Sequence, residues 1–197
     1  MAVTPDLQAA TWERMIRAVE KVRERLEKAV AALEAAGLPY AVAGGNAVAK
    51  WVATVDEGAV RNTRDVDILV RRADFPAIKS ALEAVGFVHA ELIGVDMFME
   101  GPDGKPSDGV HLLYAAEKVR PDDTVPNPDL TESVQTQTYR VVDLASLVRM
   151  KLVSHRLKDR VHLQDMVQVG LIDHTWPDRF PPELADRLRA ILANPDG

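Results

Sequence analysis

The chain of 197 residues is long enough for one domain with a full core, or one domain with a small helical appendage, and 47% hydrophobic with 27% charged residues argues against disorder away from the ends. A net charge of −6 argues against a broad nucleic-acid surface, which needs clustered Lys and Arg, while leaving room for a local basic site around Arg61, Arg64, Arg71 and Arg72. There is no cysteine for a disulfide or thiolate site, no apolar run of about 18 residues and no charged-then-apolar leader, so neither a membrane span nor a signal peptide is expected and a cytoplasmic location is the default.

From Thr11 to Ala36, apolar residues at Trp12, Met15, Ile16, Val19, Leu26, Val30 and Leu33 follow helical spacing, and Gly37 supplies the stop. This predicts a packing helix with its charges in water. Tyr40 to Ala43 reads as a short strand running into Gly44-Gly45, after which Asn46 opens a helix to residue 53. A loop from Asp56 to Thr63 feeds a second strand carrying Asp65 and Asp67 ahead of Ile68, Leu69 and Val70. Asp74 is the expected cap of a helix with Pro76 in its first turn, Ile78, Leu82 and Val85 inward, and Gly86 as its end. Three strands follow, at Phe87 to Leu92, Val95 to Met99 and Val110 to Tyr114. The stretch Gly-Pro-Asp-Gly-Lys-Pro-Ser at 101–107 is no P-loop, because its first glycine is misplaced and a proline follows Lys105.

Prolines between Pro121 and Pro128 predict an extended connection, and Thr138 to Val142 a last strand or edge. Asp143 should cap a helix to about Leu157, Asp159 another to Val169 before Gly170, and Pro181-Pro182 a terminal helix with Leu184, Leu188, Ile191 and Leu192 inward. The expected fold class is α/β (α+β), a mixed sheet flanked by helices. Residues 1–142 would form the core with its N-terminal helix, and 143–197 a helical portion packed on it as part of one compact unit.

Two local features carry chemistry. A strand ending in two glycines lets the backbone turn tightly and bring bare N–H groups to an anion, and the following helix N-terminus adds partial positive charge. In a strand, positions i and i+2 share a face, so Asp65 and Asp67 project side by side while Val66 points away. Paired carboxylates need a cation. Hard divalent ions such as Mg²⁺ take carboxylate and phosphate oxygens together, so the two features make joint sense around a triphosphate.

The glycine turn, helix and Asp-x-Asp strand, in that order, resemble the nucleotidyltransferase superfamily of DNA polymerase beta-like fold. Arg61 to Asp67 is similar to the Arg-x-x-x-Asp-x-Asp element of antibiotic and abortive-infection-type nucleotidyltransferases. The likeness is best over residues 33–72. It implies a nucleotidyltransferase-type sheet and transfer of a nucleoside monophosphate from a Mg²⁺-bound nucleoside triphosphate to a hydroxyl acceptor. Gly44, Gly45 and Asn46 would hold phosphates, Asp65 and Asp67 the metal, and Arg61 and Lys151 would offset remaining charge. Lys151 falls in the apolar stripe of its helix, where it either snorkels to the rim or meets an anion; the resemblance favours phosphate.

The family's third carboxylate, the base for the acceptor hydroxyl, has no match here. Its position is taken by His111, able to act as a base or to sit as a hydrogen-bonded strand histidine, and a poorer Mg²⁺ ligand than aspartate. Glu117, beyond the strand end, is the other candidate for the proton, or else a surface charge. Asp96, Glu100 and Asp108 are less favoured because their register is unclear. The pairs His155/Asp159 and His162/Asp165 share helix faces and are expected to hold helices together rather than to bind zinc. The missing carboxylate leaves a second reading open, a degenerate nucleotide-binding regulator or interaction module; a glycosyltransferase reading of Asp-x-Asp is disfavoured by the early glycine turn. The acidic balance leans towards a small or cationic acceptor.

Overall fold

The structure, a computed structural model, describes residues 5–194, with side chains from residue 11 onward. The described residues form six α-helices around a seven-stranded mixed sheet: α1 (Pro5–Ala35), β1 (Ala41–Val42), α2 (Gly44–Val52), β2 (Val66–Val70), α3 (Phe75–Ala84), β3 (Phe87–Leu92), β4 (Val95–Glu100), β5 (Val110–Tyr114), β6 (Ser133–Gln135), β7 (Arg140–Val142), α4 (Leu144–Ser154), α5 (Leu157–Gln168) and α6 (Pro182–Ala193). The strand order is β3-β4-β5-β2-β1-β7-β6. β2 runs parallel to β5 and β1 to β7; all other neighbours are antiparallel.

Alternation along the central strands supplies two cores. Val66, Ile68 and Val70 of β2 point to one face, where Val110, Leu112, Leu26, Leu33, Ile78 and Leu82 bury them under α1 and α3. Leu69 points to the other, with Ala41, Ala43 and Val142, and there α2, α4, α5 and α6 contribute Val48, Leu147, Leu152, Leu163 and Leu188. The acidic pair belongs to this second face. No helix among the described residues is long and apolar enough to cross a membrane.

Several boundaries differ from expectation, each for a local reason. A helix of 31 residues is about 46 Å long at 1.5 Å per residue. Only its part from about Arg25 onward is buried; Trp12, Met15, Ile16 and Val19, expected to pack, are exposed. Gly37 ends the chain's first helix with φ +66, as its position implied. α2 begins at Gly44 rather than Asn46, so the glycines form its first turn. Val85 is exposed because α3 has ended before it. Asp65 immediately precedes β2 instead of lying in it. β6 was not foreseen; it pairs only with β7, at the sheet edge.

Asp143 does cap α4, accepting from the Ser146 N–H at 2.8 Å. α4 stops earlier than expected, at Ser154, with His155 left-handed (φ 44). α5 then starts after Arg156, so Asp159 is an inward residue of its first turn and not its cap.

Candidate active site

The glycine turn is shaped by what lies against it. Gly44 has φ +60, and a Cβ there would lie 1.8 Å from Asp67 Oδ2; one at Gly45 would lie 2.9 Å from Thr63 Cβ and Oγ1. The bare turn therefore makes room for the Asp67 carboxylate and for the residue that positions its partner. Thr63 Oγ1 donates to Asp65 Oδ1 at 2.5 Å, and Asn46 Nδ2 donates to the Asp65 carbonyl at 2.8 Å. Sequence reading placed Asn46 on phosphate; here its side chain holds the backbone that carries Asp65.

Parallel pairing of β2 with β5 sets Asp67 directly beside His111. His111 Nδ1 stands 3.6 Å from Asp67 Oδ1, and its Nε2 is 2.9 Å from the Pro106 carbonyl. Donor atoms of Asp65, Asp67 and His111 all lie within 4.8 Å of one another. The Asp67 carboxylate raises the His111 pKa above its ordinary value, outweighing the effect of burial. Burial acts to raise Asp65, but the Thr63 hydroxyl and the Lys158 ammonium bring it below the usual carboxylate range.

These groups open onto a cleft of about 680 Å³ between the sheet and the first turn of α5. Lys158 Nζ sits 3.6 Å from Asp65 Oδ2. Behind it, fully buried Asp159 accepts from Lys151 Nζ (3.1 Å), Ser154 Oγ (2.8 Å) and Arg156 Nε (2.8 Å). Burial opposes ionisation there, yet Arg156 and Lys151 hold Asp159 well below the carboxylate range. Lys151 thus lines the cleft, but it is buried and its anion in this structure is Asp159.

Two candidates stand apart from the acidic pair. Arg61 Nε donates to both carboxylate oxygens of Asp165 at 2.8 Å, tying the loop before β2 to α5, and does not line the cleft. Glu117 lines the cleft but is bound by Arg72 at 2.7 Å, while Arg72 stacks 3.6 Å over the Tyr114 ring. Asp96 is held by Tyr114 and His89. His155 and His162 make no metal group with their aspartates among the described residues.

Sequence reasoning missed Lys158 and Thr63, and of the local basic group it allowed at Arg61, Arg64, Arg71 and Arg72, only Arg72 lines the cleft. The signal for Lys158 was its place beside an inward aspartate at a helix start; Thr63 joins the site through the geometry of the loop before β2.

The donor set fits a divalent cation. Two carboxylates and an imidazole converge on a point from which Gly44 removes any side chain, and a cationic group already faces Asp65. Charge, donors and space agree.

The sequence matches no protein-family model and no curated protein. Solved structures do match it along nearly its whole length. An antigenic nucleotidyltransferase-like protein from Paracoccidioides brasiliensis aligns at TM-score 0.59 and 18% identity, covering 91% of each chain. A Helicobacter pylori protein provisionally described as a nucleotidyltransferase aligns at TM-score 0.52 and 15% identity, covering 90% of this chain and 78% of the other. At such identity the likeness speaks for the fold. With its mixed sheet, glycine turn at the start of α2 and Asp-x-Asp at the start of β2, the chain has the fold of the nucleotidyltransferase superfamily.

Proposed function

We propose that the protein transfers a nucleoside monophosphate from a metal-chelated nucleoside triphosphate to a hydroxyl acceptor. The observation that carries this reading is the convergence of Asp65, Asp67 and His111 beside a helix-opening glycine turn in a nucleotidyltransferase-type fold. Asp65 and Asp67 would hold a divalent cation, Mg²⁺ on the sequence expectation, which screens phosphate charge and lines up the α-phosphate. Gly44 and Gly45 leave the N-terminal N–H groups of α2 free for phosphate oxygens. Lys158, Arg156 and Lys151 line the same cleft and offset the triphosphate's remaining charge. Lys158 would exchange its contact with Asp65 for phosphate when the cation arrives.

The acceptor oxygen attacks the α-phosphorus, the bond from that phosphorus to the bridging oxygen breaks, and pyrophosphate leaves. The acceptor's proton passes to a base in the cleft, for which His111 and Glu117 are the candidates. The apolar β3–β4 tip, with Leu92 and Ile93, lines the cleft together with a mixed set of charges at Arg72, Glu117, Lys118, Arg120 and Asp123, which suits a small acceptor with both apolar and polar parts.

A second reading draws on there being, among the described residues, no third carboxylate grouped with the pair: a protein that binds metal nucleotide and transfers nothing. Incubation with each nucleoside triphosphate, divalent metal and an aminoglycoside, transfer RNA or protein acceptor panel separates the two. Pyrophosphate release abolished by Asp65→Asn with Asp67→Asn supports transfer. Metal-dependent nucleotide binding without pyrophosphate from any acceptor supports the regulator, and absence of nucleotide binding overturns both.

A further inference from the structure

We propose that His111 is the third metal ligand, through Nδ1, and that this mixed nitrogen and oxygen set makes the site select Mn²⁺ or Co²⁺ over Mg²⁺. The inference rests on the reading that Asp65 and Asp67 hold a metal, and it assigns His111 to the cation rather than to the acceptor's proton.

The geometry begins with register. Asp67 and His111 are direct partners in the parallel β2–β5 pair, so both side chains stand on the face that carries Asp65. His111 Nε2 lies 2.9 Å from the Pro106 carbonyl oxygen, which can only accept, so this nitrogen carries the hydrogen. A cation would take the neutral form of this ring, whose lone pair lies at Nδ1, the atom 3.6 Å from Asp67 Oδ1, displacing the proton that Asp67 otherwise favours there. A backbone carbonyl holding the far ring nitrogen is how metal-bound histidines are fixed in orientation and tautomer. First-row divalent ions bond oxygen and nitrogen at about 2.0–2.2 Å, so two ligands of one ion stand at most about 4.4 Å apart. The three donors, within 4.8 Å of one another, are near that span before any side chain moves.

The carboxylates are held to that geometry as well. Thr63 and Asn46 fix Asp65, and Gly44 gives Asp67 a wall with no side chain. Ligand chemistry then decides the ion. Mg²⁺ favours an all-oxygen octahedron and keeps its waters, whereas a nitrogen donor favours first-row transition ions, Mn²⁺ the least of them because it also suits oxygen ligands, with affinity rising through Co²⁺. Remaining positions stay open to water and phosphate oxygen, as the cleft allows.

The test is Mn²⁺ binding to the metal-free protein, followed by electron paramagnetic resonance with Mg²⁺ as competitor. Native protein should bind Mn²⁺ at least tenfold more tightly than Mg²⁺ and show coupling of the manganese to a ¹⁴N nucleus. His111→Ala should lose that coupling and at least tenfold in Mn²⁺ affinity. His111→Asp should lower the Mn²⁺ to Mg²⁺ preference at least tenfold while still binding metal. If Mn²⁺ binds, is lost in Asp65→Asn with Asp67→Asn, but shows no ¹⁴N coupling and is indifferent to both His111 variants, the assignment of His111 is overturned and the acidic metal site stands. If the native protein binds neither ion, with or without a nucleoside triphosphate, the metal-site reading falls with it. The coupling is read on native protein, so a variant that fails to fold does not block the decision.

Discussion

At Gly44, backbone and side-chain constraints coincide. Its φ of +60 is one that residues with a Cβ adopt at a cost of about 1–3 kcal/mol, and the Cβ itself would overlap the Asp67 carboxylate. Gly44→Ala should therefore destabilise the protein by at least that amount in urea unfolding and weaken divalent-metal binding more than tenfold, by displacing Asp67. The glycine pair was legible in the sequence as a turn suited to an anion. Its second role, making room for Asp67 and Thr63, was not, because it depends on which side chains β2 and the loop before it turn towards the glycines. His111 is the opposite case. Its identity at the third-carboxylate position was readable from the strand sequence, while the Pro106 carbonyl that orients its ring was not.

At the scale of elements, α5 gathers more of the site than its sequence suggested. Its first turn brings Lys158 to Asp65 and Asp159 to Lys151, and its middle holds His162 and Asp165 against the body. Burial, with the Lys151 ammonium adding to it, pushes the His162 pKa down to about 4, and its Nδ1 has no hydrogen-bond partner among the described residues. The folded pKa lies below the unfolded value of about 6.5, so folding favours the neutral ring. The resulting stability is fully present above pH ~6.5 and is lost as pH falls towards 4, by about 3 kcal/mol. Urea unfolding between pH 7 and pH 4 should show a shallower decline for His162→Gln than for the native protein; equal slopes would remove His162 as the source. α1 shows where a periodic pattern misleads. Trp12, Met15 and Val19 continue the spacing of Leu26 and Leu33, but the core that α1 joins begins at Val22 and Leu26, and the earlier residues are exposed.

Across the whole molecule, one sheet serves two cores, and the side carrying the site is completed only by α4 to α6. Leu147, Val148, Leu152, Leu163, Met166, Leu184 and Leu188 bury Leu69, Val142 and the small side chains of β1. At about 1.5–3 kcal/mol for each buried side chain, these seven contribute on the order of 10–20 kcal/mol, comparable with the whole net stability of a domain. Residues 1–142 expressed alone should thus fail to give a cooperative urea transition or a dispersed amide spectrum. A folded fragment would show that the C-terminal helices are an accessory. Of these helices, α4 and the first turn of α5 also line the cleft, and Leu147 serves both core and cleft.

Sequence by itself determined what depends on near neighbours and on residue type: the helical and strand periods, the Asp143 cap, the side-by-side Asp65 and Asp67, the absence of thiol chemistry, and a family likeness strong enough to imply the fold. Tertiary structure decided what depends on partners distant along the chain. It turned Arg61 to Asp165 and Glu117 to Arg72, enclosed Lys151 with Asp159, and brought Lys158 from α5 to Asp65. The physical reason is that an ion pair is chosen by proximity in space and by burial, which depend on how helices pack on the sheet, whereas backbone geometry and hydrophobic period are written residue by residue.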